Sequence, residues 1–243
     1  MFSKGDTKRI EIVKQEIALL EKLRHPYIVH YCGHRVEHTS TSMEFFIFME
    51  LYEQPCSLKG VIQKRLKQAQ KTGSNQWFTY NEIKKFLFQI ADGLDYLHTE
   101  GVAHRDLKCA NLLIRAKGSS VNTIHIADFG ISRVMNSEGG PNPLASTVLG
   151  TPSFMAPEVL KHQPYDPFKA DIWSFGMTIF ELLCWHEPEQ PGKKPTFPQE
   201  VMQYLNKDDR FASVLEIFDR CAQQEPSARP DAAELLVWCE SLP

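Results

Sequence analysis

The sequence predicts an α+β fold, with a small first part that joins one helix to an antiparallel strand pair and a larger body that is mostly helical. Three observations carry this. Ile10, Val13, Ile17 and Leu20 recur at three- and four-residue steps among Lys and Glu, the spacing of a helix with one apolar face. "YIVHYCGHRV" and "EFFIFMEL" are rich in β-branched and aromatic residues and flank the polar "EHTSTSM", which suits two antiparallel strands. Composition changes at "YEQPCS", and from there the apolar spacing is helical.

Taken in order, the first helix ends before "RHP", because a residue preceding proline is pushed out of the helical region. Lys59, Lys64, Arg65, Lys67 and Lys71 read as the solvated face of a helix rather than a docking patch. Thr79 with Glu82 has capping-box spacing and opens a helix whose buried stripe is Ile83, Phe86, Leu87, Ile90, Leu94 and Leu97. "NLLI" and "TIHI" on either side of "RAKGSSVN" form a small hairpin. "ADIWSFGMTIFELLCW" is apolar nearly all round and therefore belongs to a helix in the middle of the body. Weaker helical patterns run from Glu200 to Leu205 and from Phe211 to Gln223, and Pro230 suits the first position of a last helix.

Of the 243 residues, 42% are apolar, enough to bury a proper core, and no run approaches a membrane span or a signal-peptide core. The 27 basic and 30 acidic side chains leave a net charge of -3, which argues against a protein built to coat nucleic acid or an anionic membrane. Six cysteines stand far apart with no CxxC pair, so they read as buried, reduced thiols in a cytoplasmic protein rather than a disulfide frame or zinc site.

The chemistry concentrates in "HRDLKCAN", "DFG", "GTPSFMAPE", "DIWSFG" and "SARP". Each alone is weak evidence, but five in this order and spacing are specific. With them the chain resembles the eukaryotic protein kinase family along essentially its whole length, nearest in wording to the kinase-kinase and tyrosine-kinase-like groups. The resemblance implies a protein-kinase-like two-lobed fold, with residues 1–52 a small lobe reduced to the first helix and two strands and residues 53–243 a complete, mostly helical large lobe. It implies transfer of the γ-phosphate of ATP to protein substrates with magnesium as cofactor, a reaction that asks the protein for placement more than for covalent chemistry.

Residue by residue, the resemblance makes Asp106 the base that accepts the substrate hydroxyl proton. Asn111 and Asp128 become magnesium ligands. Glu16, Glu50 and Leu113 fall at positions that serve the nucleotide, Glu16 as partner of an ATP-binding lysine. Lys108 and Thr151 follow the serine/threonine pattern and disfavour a tyrosine kinase, and Ala110 sets the chain apart from basophilic kinases. His104 and Phe129 are structural, packing in a column with Leu20, Tyr31 and Asp171; Asp171 holds the catalytic loop, and Arg229 pairs with Glu158. Arg105 and Arg133 would face a phosphate on Thr147 or Ser146, placed by an upstream activating kinase, and Ile131 after "DFG" leans towards threonine acceptors.

The family's Gly-rich loop and ATP-binding lysine strand have no counterpart ahead of the first helix, and Lys4 is a poor stand-in without a β-branched strand around it. Two readings follow: a serine/threonine kinase of which these residues are a fragment or a truncated gene model, or a weak or inactive kinase-like scaffold. Asp106, Asn111 and Asp128 favour the first, since a scaffold needs none of the three. The 243-residue chain by itself is expected to hold nucleotide weakly, for want of strands above the phosphates.

Overall fold

A computed structural model describes residues 2–3, 7–39, 42–52, 57–73, 77–117, 121–128, 150–161 and 164–243. The small lobe holds β1 (Phe2–Ser3), α1 (Thr7–Leu20), β2 (Tyr31–His38) and β3 (Ser42–Met49). The strands form one antiparallel sheet in the order β1-β3-β2, with Val36 opposite Phe45 and Glu37 opposite Glu44. Ile10, Ile17 and Leu20 are the buried face of α1, as their spacing predicts.

Two details of the strands differ from what the sequence predicts. The strands run into the segment "EHTSTSM", because Thr39 accepts from the Ser42 backbone through its side chain and closes the turn early. The short β1 pairs with Ser42 and Met43, so a third strand precedes the first helix and ends immediately before Lys4. Lys4 itself lies outside the described residues.

The large lobe comprises α2 (Leu58–Thr72), α3 (Tyr80–Thr99), β4 (Leu112–Lys117), β5 (Val121–Ile126), α4 (Pro167–Cys184), α5 (Gln199–Leu205), α6 (Phe211–Cys221) and α7 (Ala232–Glu240). Thr79 and Glu82 form the expected capping box at the start of α3. Asp166 caps α4 with Pro167 at its first position, and this helix is buried on every side from Ala170 to Cys184. The last helix starts two residues later than expected: Ala232, not Pro230, is its first residue, because Asp231 supplies the cap, accepting from the Glu234 backbone.

One core runs from α1 through α3 and α4 to α7. Glycine in the middle of α3 costs helix stability, yet a Cβ at Gly93 would stand 2.9 Å from Ile126 Cδ1 and 3.2 Å from the Tyr27 carbonyl. The missing side chain lets β5 lie against the helix. Of the described cysteines Cys109, Cys184, Cys221 and Cys239 are buried and free; Cys32 is also free but exposed, contrary to the expectation of burial, since it points outward from the edge strand β2.

Candidate active site

The segment between α3 and β4 is built around a carboxylate that reaches it from below. Asp171, wholly buried on α4, accepts the backbone N–H groups of His104 and Arg105, both at 2.7 Å, and contacts His98 Nε2 at 3.0 Å. These bonds hold Arg105 at φ 67°, a left-handed conformation that costs a non-glycine residue about 1–3 kcal/mol. His104 is fully buried; its Nε2 meets the Ala127 carbonyl at 2.9 Å and its Nδ1 accepts from the Asp106 backbone at 3.2 Å. With both ring nitrogens engaged in this way, His104 is a strut between the loop and the end of β5.

The turn at Arg105 presents the Asp106 carboxylate upward, where four donors meet it. Oδ1 accepts the Thr151 backbone N–H at 2.8 Å and the Thr151 hydroxyl at 2.7 Å. Oδ2 accepts Lys108 Nζ at 2.6 Å and Asn111 Nδ2 at 3.0 Å. Lys108 also donates to the Thr151 hydroxyl. Burial works to raise the Asp106 pKa, but hydrogen bonds from Lys108 and Thr151, the Lys108 charge and the Asn111 amide outweigh it and hold the carboxyl below its ordinary value. It is ionised at neutral pH.

Thr151 reaches this place because the chain before it passes flush over the loop. A Cβ at Gly150, whose φ is 113°, would lie 2.4 Å from the Arg105 carbonyl oxygen. Only glycine fits there.

The hairpin delivers the remaining groups. Leu112 pairs with Ile126, so Asn111 just before β4 and Asp128 just after β5 lie at the same end, joined by a 2.9 Å bond from the Ala127 N–H to the Asn111 carbonyl. Asn111 donates its amide hydrogens to the Asp106 carbonyl and carboxylate, which leaves its side-chain oxygen as an acceptor. Asp128 is exposed, at φ 66°. Among the described residues no group of three His, Cys, Asp or Glu could hold a metal ion. An amide oxygen and one carboxylate fit magnesium, a hard cation that keeps waters and takes most of its ligands from phosphates.

Beside Asp128, Leu113 and Met49 pack around Val29, Tyr52 and Ala127, an apolar patch suited to a flat base. The Glu50 side chain is committed to an ion pair with Arg115, whose guanidinium also lies 5.3 Å from the Tyr52 ring centre. Glu50 can therefore meet a nucleotide through its backbone alone. Burial and the neighbouring Glu50 carboxylate push the Tyr52 hydroxyl up to about 12, against the Arg115 charge.

Away from the cleft, Arg229 is buried and grips Glu158 bidentately at 2.6 and 2.8 Å, while also donating to the Gln223 and Lys169 carbonyls. Arg105 is buried. Glu16 lies in α1, but its side chain falls outside the described residues, as do Phe129, Ile131, Arg133, Ser146 and Thr147. Sequence reasoning missed Glu181, a buried carboxylate on α4 that accepts the Cys109 backbone N–H at 3.0 Å and so props the loop from underneath. Its signal is a lone charge inside the otherwise apolar "MTIFELLC". Burial raises the Glu181 pKa, opposed by the bonds from Cys109 and the Lys59 charge.

Comparison with known proteins agrees with this architecture. The protein kinase domain model matches residues 2–238. The chain is 31% identical over 242 residues to the serine/threonine-protein kinase Nek6 of Oryza sativa subsp. japonica, covering 97% of this chain and 40% of that protein. It is 33% identical over 233 residues to Nek11 of Mus musculus, covering 91% and 32%. It is 34% identical over 238 residues to mitogen-activated protein kinase kinase kinase 1 of Arabidopsis thaliana, covering 93% and 34%. The chain thus spans less than half the length of these relatives.

Proposed function

The chain belongs to the protein kinase family, and from that premise we propose that it is a serine/threonine kinase domain that moves the γ-phosphate of ATP to a hydroxyl of a protein substrate. The observation that carries the proposal is the Asp106 carboxylate, ionised, fixed from below and bonded to Lys108, Asn111 and Thr151. An ionised carboxylate held in one direction can orient an acceptor hydroxyl and receive its proton as the new bond forms. Lys108 stands beside it, where a cation offsets charge on the phosphoryl group in flight.

Asn111 and Asp128 would hold magnesium, which when bound offsets phosphate charge and aligns the β- and γ-phosphates. The apolar patch at Leu113 supports a base-binding role there, and the backbone beside Glu50 supports an edge contact. Thr151 and Lys108 support serine or threonine as acceptor, as do the names of the relatives. We read residues 1–52 as the small lobe and 53–243 as the large one, and the free, mostly buried cysteines support a cytoplasmic setting. Control by an upstream kinase acting at Ser146 or Thr147, with Arg105 and Arg133 as the phosphate's partners, extends the same reading.

The test is turnover with ATP, magnesium and a serine/threonine peptide library. Asp106→Asn should lower kcat by at least the ~10² typical of a lost general base. Asp128→Asn should lower turnover too and raise the magnesium concentration needed for half-maximal rate. Unchanged turnover in either protein, or phosphate found on tyrosine alone, would refute the assignment.

A further inference from the structure

The basic run that the sequence offers as a solvated helix face divides in two once α2 is seen in place. Two of its five cations are used within the fold: Lys59 pairs with Glu187, and Arg65 pairs with Glu82 while lying 4.1 Å from the centre of the Phe78 ring. Lys64, Lys67 and Lys71 make no ion pair among the described residues. They face a shallow groove of about 780 Å³, which they line with Ser57, Lys59, Gly60, Gln63 and Gln68; among the described residues no carboxylate lines it, and Glu187 at its edge is engaged by Lys59.

This arrangement works against the helix that bears it. Lys64 with Lys67 and Lys67 with Lys71 are neighbours on one helical face, and like charges at that spacing destabilise a helix. A chain with a net charge of -3 has carboxylates to spare, yet none among the described residues pairs with these three.

The groove also leads somewhere. It begins at Ser57, the cap of α2, whose backbone bridges to Leu113 on β4, the strand that starts directly after Asn111. We propose that this face of α2 docks a short acidic segment of the protein whose hydroxyl is presented to Asp106. That the docked protein is a substrate rests on the kinase reading; the docking itself does not.

Dimensions and chemistry select a peptide. Lys64 to Lys71 spans about 10 Å at the helical rise of ~1.5 Å per residue, the length of three or four residues of extended chain. Gln63 and Gln68 carry both a donor and an acceptor in their side-chain amides, which suits the backbone of an extended segment. A duplex or a bilayer would need a wider basic footprint than one helix face on an acidic protein supplies.

The experiment reads fluorescence anisotropy of the full chain with a labelled peptide in which four Asp and Glu residues stand between glycines and no hydroxyl is present. Its Asn/Gln counterpart is the reference. We expect the acidic peptide to bind more tightly, with affinity falling as salt rises. Replacing the three lysines together (Lys64→Gln, Lys67→Gln, Lys71→Gln) should weaken it by about tenfold, from three exposed charge pairs. The same charge change made elsewhere on the surface (Lys22→Gln, Lys193→Gln, Lys207→Gln) should leave affinity in place.

Equal weakening by the two triple variants would overturn the proposal, and so would no weakening by the first. Tighter binding of phosphatidylserine vesicles or an RNA oligonucleotide than of the peptide, lost with the same three lysines, would overturn the peptide as occupant. Anisotropy needs no phosphoryl transfer, so an inactive chain that still docks the acidic peptide separates failure of the kinase reading from failure of this one.

Discussion

Replacing Asp171 tests whether the loop that carries Asp106 is held from the helix beneath it. In the structure one buried carboxylate satisfies the N–H groups of His104 and Arg105 and meets His98. Asp171→Ala leaves both backbone donors buried without acceptors and removes the restraint on the left-handed Arg105. The expected loss is about 3–5 kcal/mol, the usual result of removing one side of a buried charged network. Asp171→Asn keeps one acceptor oxygen but turns an NH2 group towards a donor, and should cost about 2–3 kcal/mol. Urea unfolding followed by tryptophan fluorescence measures both, because Trp173 lies fully buried two residues along the same helix. Thermal unfolding gives a second reading: the alanine variant should melt about 6–20 °C lower, from 2–4 °C per kcal/mol for a chain of this size. A cost below about 1 kcal/mol for Asp171→Ala would refute the reasoning, since it would mean that water or another acceptor already serves these donors.

Further expectations follow from the same contacts. Thr151→Ser should keep near-normal turnover while Thr151→Val loses about tenfold, from the ~1–3 kcal/mol of hydroxyl bonds to Asp106 and Lys108; equal rates for the two would show that the hydroxyl is idle. Gly150→Ala, forced against the Arg105 carbonyl, should displace Thr151 and lower kcat more than it raises KM for ATP, as steady-state kinetics would show. Arg229→Lys breaks the bidentate grip on Glu158 and should destabilise by about 2–4 kcal/mol in the same urea assay. The Asp106 pKa is lowered on folding, so its contribution to stability is complete above the unfolded value near pH 4 and fades as pH falls through the folded one; the Tm gap between wild type and Asp106→Asn should change only across that acid window. Glu181 has the opposite sign: its raised pKa favours the fold below the unfolded value near pH 4 and this is lost as pH rises through the folded value, so Glu181→Gln should gain on wild type as pH rises above about 4.

Local rules were enough for much of the architecture. The α3 stripe and its capping box are written in adjacent residues, and the burial of α4 is written in its composition. Asp106, Asn111 and Asp128 stood out through the family resemblance, and the tight turn and hairpin between them explain why they lie at one end of the hairpin. What stayed hidden depends on partners distant in the chain. β1 has two residues, too few for any periodicity, and its partners Ser42 and Met43 look like loop. The Glu50 carboxylate is taken by Arg115, which lies on β4, 65 residues along the chain. The prop at Glu181 and the flush passage of Gly150 are each defined by a contact with the catalytic loop, which no window of neighbouring residues contains.

The ties between the lobes have a mechanical consequence. On one side Ile28 bridges to Ile126, flanked by bonds from the Val29 N–H to the Ile126 carbonyl and from the Ile126 N–H to the Tyr27 carbonyl, with His25 stacked on Tyr96 nearby. On the other, Glu50 is fastened to Arg115. These ties add to the core that α1 shares with the large lobe, so the end of the sheet nearest the apolar patch at Leu113 is held by backbone bonds, apolar packing and an ion pair together.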